Sequence, residues 1–457
     1  MSELESALGA RLLFPHDREY EVSRRVWNAM HDRRPALIAR CRTAAEVSLA
    51  LRYALAENLR VTVRGGGHNV AGTAVADNAV MIDLSLMSEV AVDVAGRLAH
   101  AGGGCLLRDL DAATTPLGLA CPAGVVSHTG LGGLALGGGY GWLARKWGLT
   151  CDHIMAVEIV LPDGSIVEAT EDQYDDLLWA LRGGGGNFGI VTRFTLRLRP
   201  CGPVHLHSGA YTLDAASAAL AAYGDFAERQ CRDLHTVGSL AYPGVQEWIP
   251  EKLRHEPLLF LTAAWFGDLA EAQARTAPLF ETAVPEASRI RTLTYPELQS
   301  LGDHGEPHGH RYYTKSCYLR EFPAGVAASF VAAARDIRSR RSSIDFEFLR
   351  GAVTDVPDEN SAFPHRDAPY IFTASAQWTD PEDDAENIAW SRRSVNRLRE
   401  FQSAGVYVNY VHDENAKATD VYGAERYRRL AEVKQRYDPE NILRHNQNIA
   451  PAPTTAP

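Results

Sequence analysis

The chain has 457 residues, of which 46% are hydrophobic and 23% charged, so it predicts a globular protein of more than one domain, most simply two. The formal net charge of −11 disfavours a nucleic-acid backbone or an anionic membrane surface as partner. Seven scattered cysteines without a C-x-x-C pair, an N-terminus without signal-peptide character and the lack of a long apolar run favour a cytoplasmic protein with reduced thiols.

The first predicted structural unit is a β-α-β segment. Residues 1–32 form a lead-in in which we find no chemical motif. Ala36–Arg40 is a candidate strand, and Thr43 with Glu46 forms a capping box that starts a helix with one apolar face. The chain returns as a strand over Leu59–Arg64, which predicts two parallel strands.

A glycine-rich loop with a histidine follows the second of these strands, in the sequence Arg64-Gly-Gly-Gly-His68. Glycines remove the Cβ atoms from a loop, so a flat or charged ligand can reach the backbone N–H groups. A Rossmann fingerprint would follow the first strand and open a helix. Here another strand follows, over Val80–Leu84, so we exclude that fold and predict ligand binding by backbone amides.

Two more glycine clusters follow. Eight glycines lie between Cys121 and Gly141, which predicts a loop closely approached by a ligand rather than a helix. Strands are expected at 90–94 and 98–101, and a hairpin joins 154–161 to 166–169. The third cluster, Arg182–Gly189, leads into a strand over Ile190–Leu198, and Pro200–Pro203 is typical of a domain boundary.

Beyond residue 206 glycine becomes sparse and long helices alternate with strands. This pattern predicts an α+β domain with one sheet covered by helices on one face. The expected helices are 214–229, 323–341 and 381–401, and the expected strands are 258–266, 346–353 and 370–378. Val406–Val411 is predicted to be a polar strand, and a charged helix is expected over Ala424–Tyr437.

These blocks together resemble the berberine-bridge-enzyme-like group of FAD-linked oxidases, in the vanillyl-alcohol-oxidase superfamily. The resemblance rests on Arg64–His68, Gly130–Gly141, Tyr407-Val-Asn-Tyr410 and Asn446-Gln-Asn448, in that order. It implies an α+β protein with a PCMH-type FAD-binding domain of two α/β subdomains. The implied division is an FAD domain over 1–205 (core 32–202), a substrate domain over 206–405 and a C-terminal return over 406–457.

The resemblance also implies where FAD binds. His68 stands where the family bonds a histidine to the flavin 8α-methyl group. Many relatives carry a second, cysteine link at the position of Val126, so we expect a single covalent bond here. Thr129 stands where relatives gate oxygen, which favours reaction with O₂. The implied cofactor residues are Arg64, Gly65, Gly66, Gly67, His68, Asn69, Ser127, His128, Thr129, Gly132, Gly133, Gly139, Tyr140, Gly141, Asp152, Gly189, Val191, Asn409, Asn446 and Asn448.

The implied reaction is oxidation of an alcohol of a small organic substrate, by hydride transfer to FAD and reoxidation by O₂ to H₂O₂. The family's usual base corresponds to Tyr410, with Tyr407 beside it, and an ionised tyrosine needs a positive neighbour. We expect Lys315, in a segment predicted to line the substrate cavity, to supply that charge. His128 could contact the flavin or merely cap its loop.

Alternatives remain open at this point. The protein could be a flavin dehydrogenase with another electron acceptor, or a non-catalytic flavin-binding protein. Tyr407 and Tyr410 could be ordinary strand residues. The histidines of Asp303–His310 suggest a metal site, but glycine and proline break any helical ligand face, so no metal is expected. Either a monomer or a homodimer is compatible with the sequence.

Overall fold

The computed structural model describes residues 2–244, 246–412 and 417–453. These residues form three larger β-sheets, one two-stranded sheet and fifteen α-helices, with short 3₁₀ helices between them. None of the helices in this part of the chain combines the length and the apolarity that a membrane span requires.

The first sheet is built from the N-terminal strands and is parallel in its centre. The Thr43 hydroxyl accepts a hydrogen bond from the Glu46 amide, so the predicted capping box begins the helix as expected. The strand order is β1-β2-β4-β3, and β4 pairs in parallel with both neighbours. The elements are α1 (Ser2–Leu8), β1 (Leu12–Leu13), α2 (Tyr20–Ser23), β2 (Leu37–Arg40), α3 (Ala44–Ala56), β3 (Arg60–Arg64) and β4 (Ala79–Asp83).

The second sheet is antiparallel and contains the predicted hairpin. Its order is β5-β6-β10-β8-β9, while β7 and β11 form the two-stranded sheet. The strands are β5 (Val90–Asp93), β6 (Leu98–Gly102), β7 (Leu119–Ala120), β8 (Ile154–Val160), β9 (Ile166–Ala169), β10 (Ile190–Arg197) and β11 (Arg199–Pro200). The helices between them are α4 (Leu107–Thr114), α5 (Leu131–Leu136), α6 (Ala144–Trp147) and α7 (Asp175–Leu181).

The third large sheet has seven antiparallel strands in the order β15-β12-β14-β13-β17-β18-β16. Its strands are β12 (Val204–Thr212), β13 (Leu234–Ala241), β14 (Leu258–Trp265), β15 (Ala287–Leu293), β16 (Arg311–Leu319), β17 (Ser343–Phe348) and β18 (Tyr370–Trp378). The helices of this part are α8 (Leu213–Ala227), α9 (Ala272–Thr276), α10 (Pro278–Glu281), α11 (Tyr295–Gln299), α12 (Ala324–Arg335) and α13 (Asp384–Asn396).

The two faces of this sheet differ in chemistry. Tyr313, Cys317 and Phe372 pack with the buried side chains of the covering helices. Because side chains alternate along a strand, the intervening residues, such as Thr314 and Thr373, point to the opposite face, and they line a large cavity there. The helix-free face of the sheet is therefore a polar wall of that cavity.

The C-terminal segment returns to the first part of the chain through α14 (Ala418–Tyr422) and α15 (Ala424–Tyr437). Lys434 is fully buried, and its ammonium donates to the Asp438 carboxylate at 2.6 Å and to the Asn187 carbonyl at 2.7 Å. This hydrogen-bonded ion pair joins the last helix to the third glycine cluster.

Three local predictions are wrong. Val408–Tyr410 is a 3₁₀ turn rather than part of a strand. The glycine-rich segment 121–141 contains a short helix, α5, because Leu131 and Leu136 bury one side of it. Strand β17 ends at Phe348 rather than near residue 353, since Gly351 has φ +110° and a 3₁₀ helix follows it.

Candidate functional site

Two glycine clusters touch backbone to backbone at the end of β3. A Cβ added to Gly66 would lie 2.5 Å from the Gly130 nitrogen, and one added to Gly130 would lie 2.3 Å from the Gly66 nitrogen. Real Cβ atoms do not approach backbone this closely, so glycine is required at both positions for steric reasons. The first two glycine clusters are therefore in direct backbone contact.

Other glycines of these clusters face open space. No atom of the residues that the structure describes lies within 4 Å of a Cβ added to Gly133 or Gly186, and both residues line the cavity. The cavity measures about 1470 Å³ and extends from the glycine clusters to the polar face of the seven-stranded sheet. Pockets for single small ligands usually measure about 300–1,000 Å³, so this cavity has room for a large cofactor and a substrate.

His68 lies at the wall of this cavity inside an aromatic stack. Its ring is stacked on Trp27 at 4.2 Å between centroids, and Trp27 is stacked in turn on Tyr312 at 3.6 Å. Burial, and then the neighbouring His128 and His308, lower the pKa of His68 to about 3. His68 is consequently a neutral imidazole at physiological pH, which is the nucleophilic form.

His128 and Ser127 lie directly behind His68. The distance from His68 Nε2 to His128 Nδ1 is 3.2 Å, a hydrogen bond whose donor depends on the tautomers. The Ser127 amide and hydroxyl donate to the Asp303 carboxylate at 2.8 and 2.6 Å. We name residues 303–310 the crossing segment. It lies just before β16 of the seven-stranded sheet and thereby connects that sheet to the second glycine cluster.

Tyr407 and Tyr410 come together because of the 3₁₀ turn. Residues three apart lie on the same side of such a turn, and the two rings are 4.8 Å apart and nearly perpendicular. The Tyr407 hydroxyl accepts hydrogen bonds from the Gly139 amide at 2.9 Å and the Asn409 side-chain amide at 2.8 Å. Burial raises the pKa of Tyr407 to about 12 despite these two donors.

The electrostatic surroundings of Tyr410 include carboxyl groups. Burial raises the pKa of Tyr410 well above its usual value, and Glu347, Asp345 and Glu306 raise it further. Lys315 alternates with Thr314 on β16 and shares the helix-covered face with Tyr313, whereas Thr314 lines the cavity. That Lys315 supplies a positive charge to Tyr410 stays a prediction. The carboxyl groups of Glu347, Asp345 and Glu306 line the same cavity as Tyr410.

Most of the other predicted cofactor residues line the cavity. Asn446 is one of them, and its side-chain oxygen is buried without a hydrogen-bond partner in the described part of the chain, as expected of a group that binds a ligand. The predicted site residues that line the cavity are Gly65, Gly66, Gly67, His68, Asn69, Thr129, Gly132, Gly133, Tyr140, Gly189, Val191, Tyr407, Asn409, Tyr410 and Asn446.

The remaining predicted cofactor residues lie behind the cavity wall. Asp152 forms a buried ion pair with Arg366 at 2.5 Å. The Arg64 guanidinium donates to the Ser23 carbonyl, and a Cβ on Gly141 would collide with the Ala123 carbonyl, 1.7 Å away. The hydrogen bonds described above account for Ser127, His128 and Gly139. Asn448 lines a smaller, separate pocket.

Several site residues carry no signal in the sequence. Trp27 lies in the lead-in over residues 1–32, where the sequence shows no chemical motif, and its indole N–H donates to the Glu306 carbonyl at 3.0 Å, across 279 residues of sequence. Asp345 and Glu347 lie on a strand of ordinary amphipathic pattern. Among the described residues, no cluster of three or more His, Cys, Asp or Glu side chains is arranged to hold a metal ion, the crossing segment included.

Comparison with known proteins agrees with the FAD-binding site that the geometry indicates. Residues 35–170 match the FAD binding domain family, and residues 406–450 match the family described as berberine and berberine like. The (R)-6-hydroxynicotine oxidase of Paenarthrobacter nicotinovorans is 30% identical over 97% of this chain and 97% of its own length. The chain belongs to the berberine-bridge-enzyme-like FAD-linked oxidases.

Other members of these FAD-linked oxidases support the assignment. A FAD-linked oxidoreductase of Dictyostelium discoideum is 30% identical over 93% of this chain and 91% of its own length. The crystal structure of 6-hydroxy-D-nicotine oxidase from Arthrobacter nicotinovorans superposes with a TM-score of 0.84 and 26% identity, over 96% of this chain and 98% of that one. The PCMH-type fold and the FAD-linked oxidase class expected from the motifs are thus confirmed.

Proposed function

We propose that the enzyme oxidises an alcohol carbon of a small organic substrate, with FAD tethered through His68 as hydride acceptor and O₂ as the final electron acceptor. One observation carries the proposal. His68, the open face of the glycine clusters and the Tyr407–Tyr410 pair border one cavity, whose opposite wall is the polar face of the seven-stranded sheet. A cofactor on the first wall would meet a polar substrate on the second.

The residues of the first wall fit FAD. The backbones of Gly65–Gly67 and Gly132 line this wall, and the Cβ positions of Gly133 and Gly186 face open space, which suits the pyrophosphate and the flat ring system. Asn446 offers a side-chain oxygen that has no hydrogen-bond partner among the described residues. When bound, FAD would supply the acceptor for one hydride, which carries two electrons.

The protein's contribution to the reaction is orientation and proton handling. The Tyr407 hydroxyl is fixed by Gly139 and Asn409, so the adjoining Tyr410 ring is held against it at the cavity wall. Tyr410 would accept the proton of the substrate hydroxyl. Since burial, and then Glu347 and Asp345, raise its pKa, Tyr410 is neutral before substrate binds, and it could take this proton only by passing its own to a carboxylate.

A single covalent link is part of the proposal. Val126 lines the cavity, whereas Cys121, the nearest cysteine in sequence, is fully buried elsewhere in the core. We expect Val126→Cys in a His68→Ala background to restore a covalent link to FAD, seen as fluorescence that survives denaturation. A Val126→Ser variant in the same background is the control, and we expect it to stay unlinked.

The test of function is a panel of alcohols and amines added to the purified yellow enzyme without oxygen. Bleaching of the flavin absorbance identifies a substrate, and stoichiometric H₂O₂ after admission of air supports the oxidase. Bleaching that is reversed by a dye or quinone but not by O₂ would support a dehydrogenase instead. The hydroxynicotine oxidase among the relatives makes secondary and tertiary amines necessary members of the panel. Oxidation of amines alone would contradict the alcohol specificity.

A further inference from the structure

The hydrogen bond between His68 and His128 has no role in substrate oxidation as proposed above. His128 does not line the cavity, whereas His68 does, so of the two rings only that of His68 faces the space for the flavin. Nε2 of His68 is engaged by His128 Nδ1 at 3.2 Å, which leaves Nδ1 of His68 for a bond to another group. Trp27, stacked on the His68 ring, fixes its plane.

We propose that His128 is the base that accepts the His68 proton while His68 bonds to the flavin, and that the crossing segment of the substrate domain holds His128 for this task. The inference rests on the proposed tether at His68. It assigns to the substrate domain a part in attaching the cofactor, since Asp303 belongs to that domain and bonds to Ser127, the residue next to His128.

The attachment step balances as a two-electron oxidation of the flavin methyl group. A bond forms between His68 Nδ1 and the 8α carbon, and one C–H bond of the methyl group and the N–H bond of His68 are broken. The two electrons of the C–H bond enter the isoalloxazine ring, and the proton of that bond is released to solvent. O₂ then takes up the two electrons together with two protons and leaves as H₂O₂. His128 receives the proton from His68 Nε2 and releases it to solvent afterwards.

The charges around His128 set the pH dependence of this step. Burial and Arg108 lower the pKa of His128, while Asp303 raises it; His68 and His308 are the other titratable groups that face it, and both have pKa values lowered by burial. His128 is therefore neutral, and able to accept a proton, at neutral pH. As pH falls through its pKa it becomes protonated, and tethering slows.

The experiment follows the rate of tethering in full-length apoenzyme from riboflavin-starved cells, after FAD is added. Covalent flavin is measured as fluorescence in denaturing gels and as protein mass, and total bound FAD by filtration, so neither readout depends on substrate. General bases contribute about 10²–10⁴-fold, so His128→Ala should bind FAD but tether it at least about 100-fold more slowly. Imidazole in the buffer should restore part of the rate. His100→Ala, at a histidine outside the cavity, is the control.

Two further variants test the charges with opposite signs. Asp303→Asn removes the carboxylate that raises the pKa of His128. The acid limb of the curve of tethering rate against pH should therefore move to lower pH. Arg108→Gln removes a group that lowers it, so the limb should move to higher pH. Shifts in these directions would identify His128 as the titrating base.

Three outcomes would overturn the proposal. One is a His128→Ala variant that tethers FAD at the wild-type rate with the same pH profile. Another is a folded His128→Ala variant that binds no FAD, which would make His128 a binding residue instead. The third is an acid limb that moves in neither charge variant. Wild-type enzyme without covalent flavin would instead refute the tether at His68, which is a separate result.

Discussion

Gly133 offers a test of where FAD lies that leaves the protein fold intact. It is inside helix α5, has no atom within 4 Å of its Cβ position and faces the cavity. Gly133→Ala should therefore stabilise the apoenzyme slightly, by about 0.4–1 kcal/mol, because alanine loses less conformational entropy on folding. Gly202 also has no atom near its Cβ position but lies away from the cavity, so Gly202→Ala is the matched control.

The effect on cofactor binding should have the opposite sign. If the flavin or its pyrophosphate lies on the glycine surface, the added methyl group occupies its space, at a cost of about 1–3 kcal/mol for overpacking. That corresponds to about 5- to 150-fold weaker binding. The dissociation constant is measured by quenching of FAD fluorescence in a His68→Ala background, where no tether forms. Unchanged affinity in Gly133→Ala would refute the placement of FAD on this wall.

Three other changes have definite expected outcomes. Tyr410→Phe should lower kcat by about 10²–10⁴-fold while leaving FAD bound, measured by steady-state oxygen consumption; an unchanged kcat would remove Tyr410 as the proton acceptor. Burial raises the pKa of Asp111 to about 7, so between pH of about 4 and 7 the folded state binds a proton that the unfolded state has lost. The free energy of unfolding should therefore fall as pH rises through this range. Asp111→Asn should flatten this pH dependence, as measured by urea unfolding. Lys434→Met should destabilise the fold by about 3–5 kcal/mol because the buried Asp438 carboxylate loses its partner. Arg428→Met, at an exposed position of the same helix, is the control and should cost at most about 0.5 kcal/mol. Both values are measured by thermal unfolding.

Local signals predicted the parts of the fold that depend on local chemistry. The Thr43 capping box, the strand before the glycine loop and the hairpin over 154–169 each follow from residues close in sequence. The steric contact of Gly66 with Gly130 became visible only in the structure.

The errors come from information that a single sequence does not contain. Val406–Val411 alternates like a strand, but the Asn409 side chain bonds to the Tyr407 hydroxyl two residues away and to the Leu134 carbonyl, which favours a turn. Side chains alternate between the two faces of β16, and only the packing of the helices shows that Thr314, rather than the neighbouring Lys315, lines the cavity.

Site residues brought in from distant segments had no local signal. Trp27 reaches the crossing segment across 279 residues, and Asp303 reaches Ser127 across 176. Neither contact has a spacing rule, since each depends on how the seven-stranded sheet docks against the glycine clusters. The aromatic stack on His68 and the carboxyl groups near Tyr410 therefore emerged from the fold alone.

The most direct test of the account is covalent flavin on the purified protein. Wild-type protein, denatured and precipitated in acid, should retain its yellow colour, and digestion should place the flavin on the peptide that contains His68. His68→Ala should bind FAD but release all of it on precipitation. Wild-type flavin that dissociates completely, or a His68→Ala variant that keeps its flavin, would contradict the central claim that His68 is the sole tether.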